Sequence, residues 1–184
     1  MLHLIIGGAR SGKSNFALQQ ALALSQQSGK NVTFVATATA TDTEMSKRIM
    51  RHQQERPAHW ALAEVPLNLT EYIELYSDKG VTTDSDQPIL LIDCLTLWLN
   101  NQLYHQPQQD FSILFQGFTQ ALRASESSII MVANEVGLGV IPMGEVTREF
   151  VDQAGWLNQA VASIADHVTF VAAGLPMALK SPQK

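Results

Sequence analysis

Residues Gly7-Gly8-Ala9-Arg10-Ser11-Gly12-Lys13-Ser14 spell G-x-x-x-x-G-K-S, and their flanks make the pattern restrictive. The apolar run Leu2-His3-Leu4-Ile5-Ile6 before it reads as a strand, and Asn15 to Gln27 after it has helical character. Strand, glycine loop and helix in that order are the context in which this pattern binds phosphate. The glycines let the backbone curl so that its N–H groups converge on an anion. Lys13 brings a cation to the β- and γ-phosphates, and the Ser14 hydroxyl is of the type that ligates Mg²⁺. The helix N-terminus adds a favourable dipole. The ligand implied is a nucleoside triphosphate, or a molecule shaped like its phosphate tail.

The rest of the chain continues the alternation. Asn31 to Thr37, Pro88 to Ile92, Ser128 to Asn134 and His167 to Ala173 read as strands, with Trp60 to Val65 as a further candidate. Helical segments run from about Asp42 to Glu55, then Leu67 to Tyr76, Cys94 to Tyr104, Asp110 to Ser125 and Glu145 to Ala165. The first has a capping-box start, Thr41-x-x-Glu44, and must stop before Pro57. Lys79 to Gln87 reads as a loop and Ser181 to Lys184 as a polar tail. Strands alternating with helices imply a mainly parallel sheet covered on both faces, with ligands at the carboxyl ends of the strands. At 184 residues, 46% of them hydrophobic, the chain suits one α/β domain with a sizeable core, residues 1–184.

Composition removes several classes of function. A net charge of −5 argues against nucleic acid as the main partner. Cys94 is the only cysteine, so neither an internal disulfide nor a cysteine metal cluster is available, which fits a cytoplasmic setting. No apolar run reaches the length of a membrane span, and no basic region precedes an apolar one at the N-terminus.

Further candidate chemistry follows the strands. Asp93, directly after Ile89-Leu90-Leu91-Ile92, is placed either to hold Mg²⁺ beside the phosphate loop or to cap the helix that starts there. Arg48, His52 and Arg56, spaced by four, share one helix face, and Arg51 adjoins them. Two readings of this cluster stand: a solvated basic face, or cations that keep a histidine neutral and nucleophilic while holding a phosphate. Asn134-Glu135-Val136-Gly137-Leu138-Gly139 follows another buried strand, and its glycines allow close backbone approach or simply a loop. Trp60 reads as core or pocket wall, His3 as a packing residue in the first strand, and Cys94 as a small buried residue.

In order along the chain, GGARSGKS, Ala36-Thr37-Ala38, Arg48-Ile49-Met50-Arg51-His52-Gln53-Gln54-Glu55-Arg56-Pro57-Ala58-His59-Trp60, Asn134-Glu135-Val136-Gly137-Leu138-Gly139-Val140-Ile141-Pro142 and Ala154-Gly155-Trp156-Leu157-Asn158-Gln159 can be read together. They resemble the signatures of the bifunctional adenosylcobinamide kinase / adenosylcobinamide-phosphate guanylyltransferase family of cobalamin synthesis. Trp156 stands where that family usually has arginine, and Asp93 where some members have glutamate.

The resemblance implies a P-loop NTPase fold with a RecA-like sheet and a homotrimer. It implies Mg²⁺, with Ser14 and Asp93 as its residues, and adenosylcobinamide, adenosylcobinamide phosphate, GTP and ATP as substrates. The nucleotide would be held by Gly7, Gly8, Ala9, Arg10, Ser11, Gly12, Lys13, Ser14, Ala36, Thr37, Ala38, Gln53, Gln54, Glu55, Arg56, Glu64 and Asp93. Lys13 and His52 would be catalytic, and Arg48, Arg51, Asn134 and Glu135 would contact phosphate or substrate. Two other classes remain on the residues alone: a phosphate-loop kinase of another small molecule with His52 structural, and a nucleotide-driven switch.

Overall fold

A computed structural model describes residues 1–39, 56–76 and 87–182. The apolar runs form strands β1 (Leu2–Gly7), β2 (Val32–Ala36), β3 (Ala61–Glu64), β4 (Ile89–Asp93), β5 (Ser128–Asn134), β6 (His167–Ala172) and β7 (Leu175–Lys180). Between them lie helices α1 (Lys13–Ser28), α2 (Leu69–Glu74), α3 (Leu95–His105), α4 (Phe111–Ala124) and α5 (Glu145–Ile164). The strands make a single sheet in the order β3-β2-β4-β5-β1-β6-β7. All neighbours are parallel except β6 and β7, which are antiparallel. The expected helix over 42–55 and most of the expected loop at 79–87 lie outside the described residues.

Period-two alternation splits the central strands between two cores. Leu4, Val35, Leu90, Ile92, Ile129 and Met131 face one way and pack on α2, α3, α4 and α5. Ile5, Phe34, Leu91, Ile130 and Val132 face the other way, against Ala17 and Ala21 of α1. Two alanines at a spacing of four let α1 approach the sheet closely, which brings its N-terminus to the end of β1. In the larger core, Trp98 and Phe118 are fully buried with ring centroids 4.8 Å apart. Each large apolar side chain buried this way contributes ~1.5–3 kcal/mol over an exposed one.

The sequence reading ends the sheet at Ala173, whereas the chain turns there and adds β7. Ala173 (φ 51°) and Gly174 (φ 79°) both take left-handed conformations, the geometry of a tight two-residue hairpin. Ala-Gly lacks the Asn or Asp that usually announces such a turn, and Pro176 argues against a strand. Proline is tolerated because β7 is an edge, where a missing N–H breaks no second ladder. Helix α1 also starts two residues earlier than expected, at Lys13 inside the glycine motif.

His3 is buried in β1, with Nε2 and Thr169 Oγ1 sharing a hydrogen bond of 2.9 Å. Burial, with His167 nearby, lowers its pKa from 6.5 to about 4. The unfolded chain therefore takes up a proton near pH 6.5 that the folded chain refuses until about pH 4. Stability is expected to fall as pH drops through that window, and His3→Gln should flatten that part of the curve. Urea midpoints of both proteins between pH 7 and 4 measure the difference; parallel curves would remove His3 as the cause.

Candidate active site at the carboxyl end of the sheet

Gly12, the residue before α1, is left-handed (φ 94°) and supplies no side-chain cap. The first intrahelical acceptor, Gly12 O, is used by Phe16 N at 3.0 Å. The N–H groups of Lys13, Ser14 and Asn15 precede that bond and point out of the helix end, toward where an anion would sit. The loop is braced from beneath: Ser11 N donates to Gly8 O at 3.2 Å, and Gly174 N donates to Ser11 O at 2.8 Å. The hairpin turn that sequence reasoning missed is thus the buttress of the phosphate loop. Gly12 lies so close to it that an added Cβ would stand 3.1 Å from Gly174 Cα.

Lys13 is buried and its Nζ donates to Gly8 O at 3.0 Å, folded back over the loop. Burial lowers its pKa, while the Asp93 carboxylate nearby acts the other way. Asp93, the last residue of β4, is therefore brought near Lys13, although β5 separates their strands. Register aligns Asp93 and Glu64 with the same residue, Ala36, so both acids lie on the carboxyl rim. Arg56 places its guanidinium 4.5 Å from the centroid of the Phe34 ring, and burial lowers its pKa against the opposing charge of Glu64.

Thr37 is fully buried and its hydroxyl is committed. It donates to Cys94 O at 2.7 Å and accepts from Cys94 N at 2.9 Å. Asn101 Nδ2 donates to Thr37 O at 2.9 Å. Thr37 therefore ties the end of β2 to the residue after Asp93 and fixes where the carboxylate emerges. Cys94 is buried, and burial together with Asp93 pushes its thiol up to about 12, so it is a neutral packing group.

Between β4 and β1, at the end of β5, Glu135 N donates to Gly7 O at 3.0 Å and carries the β1–β5 pairing into the following loop. The Glu135 carboxylate accepts from Gly137 N at 2.8 Å. Asn134 has its N–H bonded to Thr96 Oγ1 at 2.7 Å and its carbonyl to Asn158 Nδ2 at 3.3 Å. Thr96 and Asn158 are the residues sequence reasoning left without a role. They close the end of β5 and bind α3 and α5 to the rim. Trp60 is buried and packs in the α1-side core. Arg48, Arg51, His52, Gln53, Gln54 and Glu55 lie outside the described residues.

A phosphate loop after the first strand of a parallel sheet, with an acid at the end of a nearby strand, defines a P-loop nucleotide-binding protein of RecA-like architecture. Solved structures agree on the fold. The flagellar accessory protein FlaH of Methanocaldococcus jannaschii aligns with a TM-score of 0.56 at 14% identity, over 98% of this chain and 78% of that one. A solved ATPase domain aligns with a TM-score of 0.53 at 16% identity, over 91% of this chain and 68% of that one.

Within that class, the sequence model of the cobinamide kinase / cobinamide phosphate guanyltransferase family matches residues 3–179, and the chain belongs to this family. It is 45% identical over 180 residues to the bifunctional adenosylcobalamin biosynthesis protein CobP of Pseudomonas aeruginosa, covering 98% of each. It is 33% identical over 194 residues to the bifunctional adenosylcobalamin biosynthesis protein CobU of Salmonella typhimurium, covering 98% of this chain and all of that one.

Proposed function

We propose that this protein phosphorylates adenosylcobinamide and then converts the product to adenosylcobinamide-GDP. The observation that carries the proposal is a complete phosphate loop, braced by the β6–β7 turn and faced by Asp93, in a chain that matches the family over nearly its whole length. In the first reaction, the hydroxyl of the aminopropanol arm attacks the γ-phosphorus of ATP or GTP. The nucleoside diphosphate leaves and the hydroxyl proton is lost. Lys13 and the N–H groups at the start of α1 bind and orient the triphosphate.

The site's donor set fits Mg²⁺. The Ser14 hydroxyl and the Asp93 carboxylate are hard oxygen donors. Mg²⁺ keeps water and phosphate oxygens as its other ligands, so a protein need supply only one or two oxygens. When bound, Mg²⁺ supplies neutralisation of the charge on the phosphate oxygens.

In the second reaction, a ring nitrogen of His52 attacks the α-phosphorus of GTP and pyrophosphate leaves. The cobinamide phosphate oxygen then attacks the guanylyl-histidine, freeing His52. Dividing one displacement into two lowers each barrier. Arg48, Arg51 and Arg56 stabilise phosphate charge, and Glu64, with the Gln53 to Arg56 stretch, contacts the base or ribose. Ala36 and Ala38 line the rim beside the nucleotide, buried Thr37 holds them in place, and Asn134 and Glu135 contact substrate from the end of β5.

The working unit is a cytoplasmic homotrimer. Exposed Leu138, Val140, Ile141 and Met143 on the loop before α5, and Leu175, Met177 and Leu179 on β7, support burial against other copies. Among the described residues, no helix is long and apolar enough to cross a membrane.

GTP labelled at the α-phosphate tests the chemistry. Label should remain on the denatured protein through an acid-labile, alkali-stable bond, and His52→Ala should take up none while keeping kinase activity. Wild-type protein that stays unlabelled with Mg²⁺ and GTP would sink the guanylyl-histidine step. Equal loss of both activities in a folded His52→Ala protein would refute separate roles.

A further inference from the structure

We infer that the pocket between the α3–α4 connection and helix α5 receives the carboxamide-bearing edge of the corrin ring. This rests on the function proposed above, which supplies the corrinoid. The pocket has a volume of about 380 Å³ and is walled by Pro107, Phe111, Phe115 and Trp156, with Glu149 and Gln153 adding polar atoms.

Gln153 Oε1 is buried and has no hydrogen-bond partner among the described residues. A buried amide oxygen left unpaired costs stability unless something arrives to pair with it. The indole of Trp156 is 56% exposed at the pocket, where the family signature has arginine. Aromatic walls suit a broad, flat, apolar body. A primary carboxamide is both donor and acceptor, so it pairs with the Gln153 amide whichever way that amide is turned. A corrin ring fringed with carboxamides offers both features. The phosphates of a nucleotide do not suit this pocket: none of its described lining residues is a cation, while Asp110 and Glu149 are acids.

Position agrees with chemistry. Asn158 of α5 donates to Asn134 O at the carboxyl end of β5. Gln153 lies five residues nearer the helix start, about 7 Å further along the axis and past the rim. Phe111 begins α4, which leads into the start of β5, so it too lies at the carboxyl end. The pocket therefore opens on the same end of the sheet as the phosphate loop.

The test is equilibrium dialysis of dicyanocobinamide, followed by its visible absorption, against the full chain and its Gln153→Leu and Trp156→Ala variants. Each variant should bind about tenfold more weakly. Gln153→Leu removes an unpaired buried oxygen, so its melting temperature should hold or rise, and weaker binding cannot then come from unfolding. GTP titration of each variant reports whether the nucleotide site is intact. If wild type binds the corrinoid and both variants bind it as tightly, the pocket assignment is wrong and the proposed function stands. If wild type binds no corrinoid, the proposed function and the pocket fall together.

Discussion

Replacing Lys13 with alanine is expected to slow both phosphoryl and guanylyl transfer by at least about a hundredfold, the scale seen when one preorganised donor to developing charge is removed. The reason is positional. Lys13 is the first residue of α1, buried, and held at Gly8 O by a 3.0 Å bond that keeps its ammonium over the loop. Its pKa is lowered by burial and raised by the Asp93 carboxylate. A triphosphate entering the loop meets a cation whose desolvation has already been borne by folding. Lys13→Arg should recover little, because the planar guanidinium is larger and matches a different geometry. Kinase turnover and α-label uptake, measured on protein with wild-type melting temperature, test this; near-normal rates in either reaction would exclude Lys13 from that reaction.

Gly7→Ala is the second large effect, and here the change is in folding. A Cβ at position 7 would stand 2.4 Å from the backbone oxygen of Val171 and 2.6 Å from Ser11 Oγ. The first neighbour is backbone of β6 and cannot rotate away, so the sheet or the loop must shift. The expected cost is about 3 kcal/mol, the upper range for forcing atoms into a packed interior. Gly8→Ala provides the contrast, since nothing lies within 4 Å of a Cβ there. Its stability should stay within about 0.5 kcal/mol of wild type. Urea denaturation of the pair separates a steric role for Gly7 from a general intolerance of the loop. Similar losses in both would count against the packing explanation.

These two positions also mark how far the site was legible in the chain. The motif names Gly7, Gly12 and Lys13 together, because the glycine pattern and the cation are local. It does not say that Gly7 is required by β6, at the other end of the chain, or that Gly12 needs room beside Gly174. Thr37 carries the same lesson. The resemblance at Ala36-Thr37-Ala38 gives it to the nucleotide, yet its hydroxyl is used by Cys94, a contact across 57 residues. Thr96 had no local signal, and Asn158 stood in a recognised segment without a role, because their partner is the end of a strand that only tertiary packing brings to them.

Local pattern alone encodes the strand–loop–helix unit, the alternation that makes a parallel sheet, the ordered motifs that identify the family, and the acid after a buried apolar run. Continuous apolar runs, glycine spacing and capping residues act within a few positions, so they can be read without coordinates. The strand order, the extra antiparallel strand β7 and its turn beneath the phosphate loop came from the folded molecule. So did the approach of Asp93 to Lys13 across an intervening strand. Those features depend on which distant surfaces meet, and that is settled by packing two cores on one sheet rather than by any stretch of residues read alone.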